Sequence, residues 1–193
     1  MTFSPGSIAR VIEIAIGEIG YIEKPDNLTK YGEFTKANGL PWCGSFVNWC
    51  FHEAGVKLPS MVSTSAGAAR LKDVGRWHSE PQVGDLAFFD FPHDGIDRIS
   101  HIGIVVKVKE KSVLTIEGNT SGTGDQRNGG EVMLKDRAFG AGSAIVGFGR
   151  PKYPIRSKEF PTIDVPDSAP KVKKPKKRKK KNEGTPSITR ELV

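Results

Sequence analysis

The feature that most constrains the fold of this chain is a change of hydrophobic period near residue 80. Before it, apolar residues recur three and four positions apart; after it, short β-branched runs are separated by Gly, Asn and charged turns. Ser7 can cap a first helix whose apolar side carries Ile8, Val11, Ile12, Ala15, Ile16 and Ile19, with Gly20 as its stop. A short helix is predicted within 27–38, ended by Asn38-Gly39. A strong one is predicted over 43–54, stopped by Gly55, and another from Ser65 to Val74, closed by Gly75. The predicted strands are Leu86–Phe91, Ile102–Val108, Val113–Glu117, Glu131–Leu134 and Ala144–Phe148. Helices first and strands afterwards imply an α+β domain, with N-terminal helices packed on an antiparallel sheet, and not alternating βαβ units.

Charge divides the chain in the same way. Residues 1–155 hold 17 Lys and Arg against 17 Asp and Glu, whereas the last 38 residues hold 12 against 5, so the whole net charge of +7 belongs to an appendage. Lys171 to Lys181 contains nine basic residues in eleven, and prolines punctuate the stretch before it. The expected organisation is a folded domain over 1–155 and a basic, disordered tail over 156–193. No apolar run reaches 18 residues, and Arg10, Glu13 and Glu18 interrupt the first helix. Neither a membrane span nor a secretion signal is expected.

The two cysteines, Cys43 and Cys50, lie seven apart in one predicted helix. At about 1.5 Å rise per residue their Cα atoms stand roughly 10 Å apart, beyond the ~7 Å that a disulfide tolerates. Both thiols should be free. Cys50, mid-helix on the apolar side, reads as core. Cys43 sits in Pro41-Trp42-Cys43-Gly44-Ser45-Phe46, at the first turn, where the helix end carries partial positive charge and free N–H groups. That position favours a thiolate and offers the Cys43 N–H to an oxyanion, although a buried structural cysteine would satisfy position alone.

A thiolate nucleophile requires a base and a group that orients the base. Of four histidines, His52 falls mid-helix facing solvent, His78 and His93 fall in loops, and His101 opens a strong strand. If Val108 pairs with Ser112 across Lys109-Glu110-Lys111, paired numbers sum to 220, His101 lies opposite Asn119, and Glu117 stands diagonally on the same face. A two-residue turn would change the sum to 221 and break that arrangement.

These residues fall in four blocks: Pro41 to Cys50, Val83-Gly84-Asp85-Leu86-Ala87-Phe88-Phe89, Ser100-His101-Ile102-Gly103-Ile104-Val105, and Thr115-Ile116-Glu117-Gly118-Asn119-Thr120. In order and spacing they resemble the CHAP domain (cysteine, histidine-dependent amidohydrolase/peptidase) over roughly residues 7–152. The resemblance implies a papain-like fold of the CHAP/NlpC type. It also implies Cys43 as nucleophile, His101 as base, and Glu117 with Asn119 as the groups aligning His101. The implied reaction is cleavage of amide bonds in bacterial wall peptides, by an endopeptidase or an N-acetylmuramoyl-L-alanine amidase.

Many such relatives are phage endolysins, so the resemblance further implies release from the host cytoplasm to the wall by a holin-type partner; a monomer is expected. Candidate substrate-binding residues are Trp42, Gly44, Asn38 (a stand-in for the oxyanion glutamine of papain-like enzymes) and His93. Some relatives carry an acidic calcium loop before the cysteine. Tyr31 to Leu40 offers only Glu33 and Asn38, and Asp90 to Asp97 lacks calcium-loop spacing, so no metal and no cofactor are expected. The run Lys171–Lys181 suits teichoic acid or another anionic surface, and nucleic acid only non-specifically. The alternatives are a non-catalytic wall-binding or nucleic-acid-binding protein, and a protease of the wider papain-like group acting on ordinary proteins.

Overall fold

A computed structural model describes residues 2–92, 95, 98–157 and 159–163. His93, part of the loop from Asp90 to Asp97 and the basic run Lys171–Lys181 lie outside the described residues. Four helices precede six strands: α1 (Ile8–Gly17), α2 (Lys30–Thr35), α3 (Cys43–Glu53), α4 (Thr64–Asp73), β1 (Trp77–His78), β2 (Leu86–Phe89), β3 (His101–Val108), β4 (Ser112–Thr120), β5 (Glu131–Ala138) and β6 (Ile145–Gly149). The α+β class expected from the period change is the class observed.

Local chemistry sets the helix ends. Ser7, Thr29 and Ser63 cap α1, α2 and α4 by accepting from the N–H groups of Arg10, Gly32 and Ala66. The first helix stops at Gly17, short of the expected Ile19, and the second is trimmed to six residues because Lys36 turns left-handed at φ 57°. No helix among the described residues is long and apolar enough to cross a membrane.

All strand pairings in the sheet are antiparallel, in the order β1-β6-β2-β3-β4-β5. One face carries Leu86, Phe88, Ile102, Ile104, Leu114, Ile116 and Val132, which join the helices in the main core with Val11, Ile12, Phe46, Val47 and Phe51. Each large apolar side chain buried there contributes about 1.5–3 kcal/mol. The other face holds a smaller cluster of Ala87, Phe89, Val105, Val113, Ile145 and Phe148. His78, expected in a loop, lies in β1, paired with Phe148 of β6.

The β3–β4 hairpin differs from the expected register in an instructive way. Lys109 N–H donates to the Ser112 carbonyl, leaving Glu110-Lys111 as a two-residue turn, and Val108 pairs with Val113. The ladder there is one residue out of the expected phase. A bulge between Val105 and Lys107 absorbs the difference, so that Val105 pairs with Thr115 and Ile104 with Ile116. At the end that carries His101 and Glu117, the expected phase is restored.

Contacts divide the chain into Met1–Ile163 and Asp164–Val193. The first unit extends past the expected boundary at 155. Ile155 bridges to Ser7, the Ser157 hydroxyl accepts from Ala9 N–H, and Ile163 packs on the main core.

Candidate active site

Cys43 is the first residue of α3, as its sequence position predicts, and the helix has no side-chain cap, since Trp42 at the N-cap makes no such bond. The uncapped end leaves its positive pole at the sulfur. Cys43 and Cys50 are both free thiols and both buried. Cys50 is wholly enclosed in the core, and that burial pushes its thiol pKa up.

His101 opens β3 and is fully buried. Its Nε2 lies 3.0 Å from Glu117 Oε2, and its Nδ1 closes no hydrogen bond of ordinary geometry. Burial on its own drives the imidazole pKa down. The Cys43 side chain, and after it the Glu117 carboxylate, favour the charged ring, outweigh burial and raise the value to about 9. Nδ1 is the ring nitrogen left without a hydrogen-bond partner.

Glu117 is fully buried on β4. Burial raises a carboxyl pKa, but the bonds and charges of Arg137 and then His101 pull this one down to about 2. Four donors reach its two oxygens. Thr115 Oγ1 donates to Oε1 at 2.6 Å and Arg137 Nε donates to Oε1 at 2.8 Å. On Oε2, Arg137 Nη2 donates at 2.6 Å and His101 stands at 3.0 Å. Such a carboxylate is ionised and fixed in direction, which holds the imidazole in one orientation.

Sequence reasoning missed two residues here. A Cβ at Gly103 would lie 2.7 Å from Glu117 Cγ, so the missing side chain at 103 is what lets Glu117 reach across the ladder. The signal for it was present in the Ser100–Val105 block. Arg137 was missed because the predicted strand ended at Leu134, whereas β5 runs on to Ala138.

Four of the expected site residues take other contacts in the structure. The hydrogen bonds of the Asn119 carboxamide go to neighbouring loops. Asn119 adopts φ 60° beside a register shift in β4, donates to Asn128 Oδ1 at 2.9 Å and Asn27 Oδ1 at 3.4 Å, and accepts from Gly130 N–H at 3.1 Å. It ties loops together next to the site. Trp42 does not face a substrate, for its ring is fully buried, stacks on Tyr31 at 5.3 Å and donates its N–H to Glu23. At Gly44 the place of a side chain is taken by backbone, because a Cβ there would sit 1.8 Å from the Met61 carbonyl oxygen. Its role is close packing of α3 against that backbone. Asn38 offers no oxyanion donor in this arrangement; its Oδ1 accepts from Thr29 N–H at 2.9 Å and braces the start of α2.

The second block also has a structural role. Asp85 is buried and takes a bidentate pair from Arg150 (2.9 and 2.8 Å), while the Tyr153 hydroxyl donates to the Gly84 carbonyl at 2.6 Å. This turn clamps the C-terminal strand to the sheet.

Comparison with known proteins gives one family. The model of the CHAP domain matches residues 35–119. Over that segment the chain is similar to the CHAP domain. The matched segment spans α3 to β4 and so contains Cys43, His101, Glu117 and Asn119; Arg137 lies beyond its end. No curated protein matches the sequence. A solved structure described as similar to lipoprotein, NLP/P60 family, from Staphylococcus aureus aligns with a TM-score of 0.43 at 16% identity, over 78% of this chain and 43% of that one. The chain thus spans less than half the length of that structure.

Proposed function

We propose that this domain is a cysteine-dependent peptidoglycan hydrolase that cuts amide bonds in wall peptides, with Cys43 as nucleophile and His101 as its acid–base partner. One observation supports the reading: a buried thiol opens an uncapped helix, and a buried imidazole has Nε2 held by the Glu117 carboxylate at 3.0 Å while Nδ1 has no hydrogen-bond partner. That is the nucleophile–base–orienter arrangement, built from α3, β3 and β4.

The steps follow from it. His101 takes the Cys43 proton, or holds the pair as thiolate and imidazolium. Sulfur attacks the amide carbonyl carbon, a C–S bond forms, and the oxyanion gathers at the N–H groups of the first turn of α3. His101 gives its proton to the departing amine nitrogen as the C–N bond breaks. A water then attacks the thioester, with His101 taking the water's proton. The acid product leaves and the thiolate is regenerated. Glu117 stays ionised throughout and stabilises the imidazolium whenever it carries the proton.

On the sequence resemblance the proposal extends to an endolysin role with a holin-type partner, and to the basic run Lys171–Lys181 as a contact for teichoic acid or another anionic wall surface. The test is mass spectrometry of purified peptidoglycan digested with the protein. New free amino termini in the stem or cross-bridge peptides, or muramic acid freed from L-alanine, are expected. Intact muropeptides after digestion by correctly folded protein contradict the proposal.

A further inference from the structure

We propose that Arg137 is a positioning residue of this centre: its guanidinium fork holds the Glu117 carboxylate in the charge state and direction that the His101 imidazole requires. The inference rests on the reading of Cys43 and His101 as the reacting pair, and adds a residue from β5, a strand outside the segment matched to the family.

The geometry is that of a bidentate clamp. Nε donates to Oε1 at 2.8 Å and Nη2 to Oε2 at 2.6 Å, so one planar group engages both carboxylate oxygens. The guanidinium is itself held in place. Its Cζ lies 5.4 Å from the ring centres of both Phe89 and Phe91, and those same two rings lie 5.5 and 5.7 Å from the His101 ring. Phe89 and Phe91 stack on one another at 5.4 Å. Cation and imidazole thus share an aromatic pair on one side and a carboxylate on the other, so a displacement of Arg137 is felt by the imidazole through both.

The electrostatic argument has the same direction. Glu117 is faced by His101 from β3, by Thr115 from its own strand, and by Arg137 and Lys135 from β5, with Cys43 of α3 acting through His101. Lys135 donates its Nζ to the Ser121 carbonyl at 2.5 Å and makes no bond to the carboxylate. Arg137 is therefore the one cation besides His101 bonded to Glu117 among the described residues. Without it, each oxygen of a fully buried carboxylate loses a donor, and burial drives a proton onto it. A protonated Glu117 has no charge with which to stabilise the imidazolium. Lysine could restore the charge but not the fork or the stacking plane.

The experiment compares the parent with Arg137→Met and Arg137→Lys. It follows the Glu117 side-chain carboxyl by carbon NMR across pH, together with kcat and KM on soluble wall fragments. In the Met variant the Glu117 midpoint rises by two pH units or more, the acid limb of kcat/KM rises with it, and kcat falls by about 10²-fold at little change in KM. In the Lys variant the midpoint returns to within one unit of the parent, while kcat recovers only in part.

A folded Met variant with parental midpoint and acid limb overturns the proposal. Should that variant not fold, the Lys variant decides: parental kcat there overturns the need for the fork. The carboxyl titration needs no turnover. An inactive parent would sink the hydrolase reading while the hold of Arg137 on Glu117 is still measured.

Discussion

Gly103 stands across the β3–β4 ladder from Glu117 so closely that a Cβ at 103 would lie 2.7 Å from Glu117 Cγ and 3.3 Å from Thr115 Cβ. The carboxylate reaches His101 through space that a side chain would fill. Gly103→Ala is expected to push Glu117 off the imidazole while leaving the helical core intact. Wall hydrolysis should fall by about 10²-fold, and stability by only about 1–3 kcal/mol. Rate and thermal denaturation measured on the same sample check this. Equal fractional losses in both would contradict it.

Stability should decline at both ends of the pH range, for separate reasons. The Glu117 pKa is depressed to about 2 from 4.5, so its contribution is complete above the unfolded value and is lost as pH falls from about 4.5 towards 2. The His101 pKa is raised to about 9 from 6.5, so its contribution is complete below 6.5 and is lost as pH rises through 9. Urea denaturation across pH should show a maximum between about 4.5 and 6.5. The alkaline decline should shrink in Cys43→Ala, because the thiol is the foremost group raising the imidazole value. An unchanged alkaline decline in that variant would show that sulfur and ring do not interact.

The thiols should differ in reactivity. Both are buried, but Cys43 lies at an uncapped helix start, whereas Cys50 sits in the core with its pKa driven up by burial. Iodoacetamide on native protein should add one carbamidomethyl group, on Cys43, and abolish activity; in denaturant it should add two. Peptide mapping reads both results, and native labelling on Cys50 would contradict the assignment.

Much of this site was legible in the sequence because its parts are local. Cys43 follows a turn and opens a helix, and His101 opens a β-branched strand. Glu117 falls within reach once the hairpin closes. The hairpin itself was misread: a two-residue turn takes the ladder out of phase and the bulge at Val106 brings it back, two changes that periodicity does not reveal. Arg137 was hidden because Lys135-Asp136-Arg137 looks like the solvated end of a strand. Those charges instead lie on β5 at the sheet edge, where charged residues guard against edge-to-edge pairing and one of them can turn inward. Trp42, next to Cys43 in sequence, reads as a substrate contact. Its enclosure depends on Tyr21 and Tyr31, which only the tertiary fold brings to it.

The most direct measurement is the clearing of purified bacterial walls by the parent and by Cys43→Ala, with folding verified by circular dichroism. The account predicts that the folded variant leaves turbidity unchanged while the parent clears the walls and loses that activity to a thiol blocker. Clearing by folded Cys43→Ala at the parental rate would contradict it.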